Sequence, residues 1–309
     1  MGKYFLRHLL ITLFLCVGCN NPTQKKEDTL IDQKRISKTF RKSLNKVRLD
    51  HFYITLDSLT FAQLKASDFI LENYANLDQG IPDFTRIDKN STSAYLRGKN
   101  QYIELLGPEN AFNEPVGKSG IGFALSEIKG FSLANVPKLN ETGTKFLKEA
   151  DTVSFRINST LSVWYKAFYT YGMATNLSTW YAYYNPEFLE HLHQEEIAEY
   201  SSEEFLKTAY HPKKLFNEIT GIEMHCNRAD HFRIARELQL LGCSLAGKNN
   251  NDLLYIVDGL KLSIRLDEEL EKSKITIIAG TLNEPDNRTL AFKNLTITNT
   301  GYKTVWLLH

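Results

Sequence analysis

The most constraining feature of this 309-residue chain is a unit that recurs along it: a short β-prone run, a helix, then further strands set apart by tight turns. The first copy is the plainest. His51 to Leu56 alternates in the manner of a strand with two different faces. Asp57 or Ser58 can cap a helix from about Thr60 to Ala75, whose apolar stripe is Phe61, Leu64, Phe69 and Ile70. Gly80-Ile81-Pro82 interrupts it, and Thr92–Arg97 and Gln101–Leu106 then form a hairpin about Gly98-Lys99-Asn100. A second copy opens at Gly120–Leu125, with a short helical piece near Ser132 and β-prone, aromatic-dense runs at Ser162–Tyr171 and Ser178–Tyr184. A third opens at Thr220–Cys226, continues through a helix from Asp230 to Leu241, and turns at Asp258-Gly259 between Asp252–Val257 and Leu260–Leu266. The runs Ile275–Leu282, Thr289–Thr298 and Lys303–Leu308 complete a β-rich tail. Residues 186–209 read as a polar, acidic helical connector.

With 42% hydrophobic and 12% aromatic residues the chain can close a real core, so disorder is excluded as its main state. A net charge of +1 argues against a dedicated nucleic-acid binder. No GxSxG elbow, P-loop, dinucleotide fingerprint or zinc-type Cys cluster is present.

The first 18 residues read as an export signal: Lys3 and Arg7 precede an apolar run from Leu9 to Val17 that is too short to span a bilayer. Leu15-Cys16-Val17-Gly18-Cys19 resembles a bacterial lipobox, which implies that Cys19 is acylated and becomes the mature N-terminus. Cys16 departs from that pattern, in which Leu is usual. A basic tether follows over 19–48, with Lys25, Lys26, Lys34, Arg35, Lys38, Arg41, Lys42, Lys46 and Arg48 against only Glu27, Asp28 and Asp32. Such a leash can lean on anionic lipid, and a solvated linker ending in a short helix from Ser37 to Lys46 is the plainer alternative. The expected address is the bacterial cell envelope, with the protein anchored to membrane lipid through Cys19. Cys226 and Cys243 are left as either a disulfide or two buried thiols.

The segment Asp50-His51-Phe52-Tyr53-Ile54-Thr55-Leu56-Asp57, followed about 50 residues on by Tyr102-Ile103-Glu104-Leu105-Leu106-Gly107-Pro108, resembles the first and fourth strands of the vicinal oxygen chelate (glyoxalase-like) superfamily. Gly120–Leu125, Val163-Trp164 and Trp180-Tyr181 are similar to the second half of such a domain, and Tyr210-His211-Pro212 to the joint in larger members. The resemblance implies an α+β fold of βαβββ modules that form an open curved sheet around a cavity. A paired-module domain would span 49–190, a connector 191–214 and a third module with its tail 215–309.

It also implies a divalent metal held by His51 and Glu104, a small organic ligand, and metal-assisted lyase, isomerase or hydrolase chemistry centred on those two residues. Period-two alternation puts His51, Tyr53 and Thr55 on one strand face and Tyr102, Glu104 and Leu106 on another, so the two faces can converge. The later copies depart from the pattern. Gly120 and Ala182 fall at the His and Glu places of the second copy, Gly221 and Arg265 at those of the third. His51 and Glu104 could instead hydrogen-bond to each other or act as an acid–base pair.

Arg97 and Arg265 are candidates for an anion clamp, with salt-bridged surface arginines as the alternative. Trp164, Tyr169, Trp180, Tyr181 and Tyr183 are candidates for an aromatic ligand wall or for sheet packing. His191 and His193, two apart on a helix, cannot chelate from one face, and His225, on a strand, is a candidate to reach the cavity, with a satisfied core histidine as the plainer alternative. A non-catalytic ligand- or glycan-binding envelope lipoprotein, and a structural envelope module, stand beside the enzyme reading. Pairing of two chains into a homodimer is left open.

Overall fold

The computed structural model describes residues 38, 46–126, 147–170 and 175–309. The leader, Cys19 and nearly all of the basic tether lie outside the described residues, as does the helix expected near Ser132. Among the described residues no helix is long and apolar enough to cross a membrane.

Two mixed sheets with few helices make an α+β fold. The first contains β1 (Lys46–Thr55), β2 (Asn76–Asp78), β3 (Ser93–Arg97), β4 (Tyr102–Leu106), β5 (Ser119–Ser126), β6 (Leu147–Ile157), β7 (Thr160–Thr170) and β8 (Leu177–Tyr184). Their order is β2-β3-β4-β1-β5-β8-β7-β6. β1 runs parallel to β4 and β5 parallel to β8, while β1 and β5 meet antiparallel at the centre. The second sheet contains β9 (Phe216–Cys226), β10 (Ser244–Lys248), β11 (Asp252–Val257), β12 (Leu260–Leu266), β13 (Lys274–Asp286), β14 (Thr289–Ala291) and β15 (Leu295–Leu308), in the order β10-β11-β12-β9-β13-β15-β14. Its first four strands have the order of β2-β3-β4-β1, and β12 again runs parallel to the opening strand β9.

The helices are α1 (Ser58–Lys65), α2 (Pro186–His193), α3 (Ser202–Leu206) and α4 (Arg228–Leu240), with a π-helical turn at Ile70–Tyr74. Asp57 caps α1 as its side chain accepts from the amides of Leu59 and Thr60. The helix expected to reach Ala75 stops at Lys65, because the Ser67 hydroxyl accepts from the Ile70 amide and starts a new turn. The connector holds only two short helices; Phe188, Leu189, Phe205 and Leu206 are buried, so it is drawn down onto the first sheet.

Alternation sorts each strand between two apolar clusters. Phe52 and Ile54 of β1, Ile103 and Leu105 of β4, and Phe123 of β5 join the core between the sheets, together with Met224, Leu262, Ile264 and Trp306 of the second sheet. α4 bridges that core: Tyr255 donates to the carbonyl of Ala235, and Thr179 and Tyr181 donate to Glu237. Tyr53, Tyr102, Leu106, Trp164, Trp180 and Tyr184 belong to a second, aromatic cluster under α2 and α3. The candidate site lies on that side of the first sheet.

Candidate functional site

A bulge in β1 builds the site. Against β5 the register runs from Leu49 beside Phe123 to His51 beside Gly122, so Asp50 is an extra residue. The bulge suspends the alternation that would send neighbouring side chains to opposite faces. Asp50 Oδ2 and His51 Nδ1 lie 2.6 Å apart, and the two residues are 1% and 6% exposed. The same carboxylate accepts from the Tyr184 hydroxyl at 2.6 Å and from Ser202 Oγ at 2.8 Å. Burial pushes the Asp50 carboxyl up, but its bonds and charge interaction with His51, and the bonds from Tyr184 and Ser202, outweigh burial and hold it below the usual range. An ionised Asp50 can only accept, so Nδ1 is the donor of this pair, and in the neutral ring Nε2 is then the acceptor.

Glu104 reaches the same face from β4. The parallel register sets Tyr102 beside His51 and Glu104 beside Tyr53, so imidazole and carboxyl are diagonal neighbours on one side of the sheet. Glu104 is 8% exposed, and the Tyr95 hydroxyl of β3 donates to its Oε1 at 2.8 Å. Burial raises the Glu104 carboxyl above its usual range, against the lowering effects of His51 and Tyr95. The His51 ring is stacked on Tyr102 at 4.4 Å, and Trp180 stands 5.0 Å from it on a tilted plane. Tyr53 packs on Trp180 and its hydroxyl donates to Glu114 at 3.3 Å; Lys118 pairs with Glu114 at the rim. Thr55 is buried, and its hydroxyl has no hydrogen-bond partner among the described residues.

The other candidates separate from this pair. Arg97 is buried and bound bidentately to Asp78, Nε at 2.8 Å and Nη2 at 2.7 Å, with its guanidinium 4.7 Å over Tyr102 and 4.8 Å over Tyr95. Two of its five N–H donors are held by Asp78 inside the protein, and its guanidinium braces the tyrosines. Trp164 is the extra residue of a bulge between β6 and β7 and is packed on Phe188 and Phe205 with its indole N–H given to Tyr200, so it is a packing residue under α2 and α3.

On the second sheet Arg265 pairs with Asp252 and Glu223, and His225 bonds Glu223 at 2.9 Å. His225 is thus half-buried in an ion-pair cluster and not a core histidine. His191 and His193 bond separately to Ser162 and to the carbonyl of Glu204. Cys226 and Cys243 are free thiols.

The residues opposite His51 and Glu104 offer a metal little. Gly120, Gly122 and Ala182 bring no donor, and a Cβ on Gly122 would stand 2.4 Å from the Trp180 ring. Among the described residues no group of three or more His, Cys, Asp and Glu could hold a metal ion. Sequence reasoning missed Asp50, Tyr95, Tyr184 and Ser202. Asp50 was hidden because alternation assigns it to the face opposite its neighbour; Tyr184 and Ser202 carry no local signal.

These features define an α+β protein of two mixed sheets, with a histidine and a carboxyl gathered on one face of the first. The chain belongs to the family of unknown function DUF5829, whose profile matches residues 49–308. No curated protein matches the sequence. Solved structures similar to it include a hypothetical protein from Staphylococcus aureus, at 12% identity and a TM-score of 0.42 over 74% of this chain and 88% of that one. A mutant of 4-hydroxymandelate synthase from Streptomyces coelicolor is similar at 8% identity and a TM-score of 0.36, over 76% and 69%.

Proposed function

We propose that this protein is a lipid-anchored envelope protein that binds a small organic molecule against the His51–Glu104 face, in the manner its glyoxalase-like resemblance implies, with the two side chains as an acid–base pair. The observation that carries the reading is the buried Asp50–His51 pair on the same sheet face as a carboxyl whose affinity for its proton is raised. A buried carboxylate orients the imidazole and leaves Nε2 to accept a proton, while Glu104 is predisposed to hold one to give. The unpartnered Thr55 hydroxyl on the same strand face supports it, because a buried polar group without a partner costs about 1–3 kcal/mol that a ligand can recover.

A thermal-shift screen of the purified mature protein with small carboxylic acids and carbonyl compounds tests the reading. Stabilisation by at least one compound, lost in His51→Gln and Glu104→Gln, is expected; a panel that stabilises nothing refutes it. Anchoring is tested separately: Cys19→Ser should move the protein from the membrane to the soluble fraction.

The stacking of His51 on Tyr102 beside Trp180 favours a second reading, a non-catalytic binder of a ring-shaped ligand or glycan. Binding that survives Glu104→Gln, with the ligand recovered unchanged, decides for it.

A further inference from the structure

The superfamily resembled by the sequence implies a metal at His51 and Glu104, yet the residues around that pair do not form a metal site. His51 has one nitrogen to offer, because Nδ1 is committed to Asp50 at 2.6 Å. Glu104 offers a single carboxylate, one oxygen of which already accepts from Tyr95 at 2.8 Å. Among the described residues, the positions facing the pair in β5 and β8, Gly120, Gly122 and Ala182, supply no further donor. A Cβ on Gly120 would lie 2.4 Å from the Tyr53 ring, and one on Gly122 would lie 2.4 Å from Trp180 Cζ2 and 2.5 Å from its Nε1. The indole of Trp180, wedged between Tyr53 and His51, therefore covers the backbone from which a ligating side chain would have to rise. Two ligating side chains fall short of the three or four protein ligands that zinc sites use.

We propose that the His51–Glu104 face is a metal-independent site in which the Trp180 ring stands where a second ligand pair would be, and Asp50 is the positioning residue that holds His51 with Nε2 toward the bound molecule. The organic molecule it takes is held by hydrogen bonds to Nε2 and Glu104, and not by chelation to a cation. This inference rests on the reading of that face as a ligand site.

The test uses the mature full chain, purified without chelator and then exposed separately to zinc, manganese, cobalt and ferrous ions. The expected result is substoichiometric metal as purified, no shift of the melting temperature with any ion, and unmoved His51 ring signals in nitrogen-15 NMR. Those signals should report the Nδ1–H tautomer, and Asp50→Asn should change the tautomer balance while a folded spectrum is kept. One equivalent of metal in the unaltered chain, lost in His51→Gln, overturns the inference and leaves the ligand site standing. A His51 ring protonated on Nε2 in the unaltered chain overturns the role of Asp50. A panel of small organic acids and carbonyl compounds that moves neither His51 nor the melting temperature overturns the ligand reading instead, whatever the metal content.

Discussion

Asp50→Asn probes the hub on which the site is built. Its carboxylate accepts from His51 at 2.6 Å, Tyr184 at 2.6 Å and Ser202 at 2.8 Å, all in buried surroundings. Hydrogen bonds to a charged group contribute about 1.5–3 kcal/mol each, and neutral ones about 0.5–1.5. Asparagine keeps one acceptor oxygen but turns a donor amide toward donors, so at least one of the three loses its acceptor, at a further cost of about 1–3 kcal/mol. The expected total is about 3–5 kcal/mol, the range seen when one partner of a buried pair is removed.

Denaturant unfolding of Asp50→Asn, Ser202→Ala and the double variant measures it. Ser202→Ala should cost clearly less in the Asn background than in the native one. The acid limb gives a second readout: the Asp50 carboxyl is held below its usual range, so its stabilisation is complete above the unfolded pKa of about 3.9 and is lost as pH falls through the lower folded value. Asparagine removes that dependence. Costs that add within about 0.5 kcal/mol, or a loss below about 1 kcal/mol for Asp50→Asn, would refute the hub.

Gly122→Ala forces a methyl group to within 2.4 Å of Trp180, which Tyr53 and His51 hem in; overpacking of this kind costs about 1–3 kcal/mol and should shift the tryptophan fluorescence, and an unchanged melting curve and spectrum would count against it. Glu104→Gln tests the raised carboxyl. The folded state keeps its proton above the unfolded pKa of about 4.3, so the native protein loses stability as pH rises from there through the folded value. The variant should lose less over that span, and parallel stability–pH curves would contradict this. Asp78→Ala strands the buried Arg97 guanidinium and should cost about 3–5 kcal/mol, most of it regained when Arg97→Met is added; no recovery in the double variant would show that the pair is not the cause.

Much of the sheet framework is legible locally. The alternation of His51–Leu56 becomes β1, and the turn at Gly98-Lys99-Asn100 joins β3 to β4. Asp258-Gly259 carries the turn between β11 and β12, with both residues at positive φ. β2, a three-residue strand paired with β3, escapes such reading, and so do β6 and β10. β6 (KEADTVSFRI after its leucine) has no clean alternation, and its form depends on a long pairing with β7 at the edge of the sheet. β10 is a short, largely exposed edge strand with a glycine in it. In the tail, the separate runs expected at Thr289–Thr298 and Lys303–Leu308 become the short β14 and the continuous β15, because pairing with β13 carries the ladder across the gap.

Local pattern alone determined which side chains share a strand face with His51 and which with Glu104, because side-chain direction in a strand has a period of two; that the two faces coincide follows from the parallel pairing of β1 with β4. Only the tertiary structure decided what surrounds them. The bulge that turns Asp50 beside His51, the indole laid over Gly120 and Gly122, and the connector that delivers Ser202 to the same carboxylate each depend on contacts between segments far apart in the chain. Alternation carries no information about a residue inserted out of step, and composition does not say which distant ring will fill the space above a glycine.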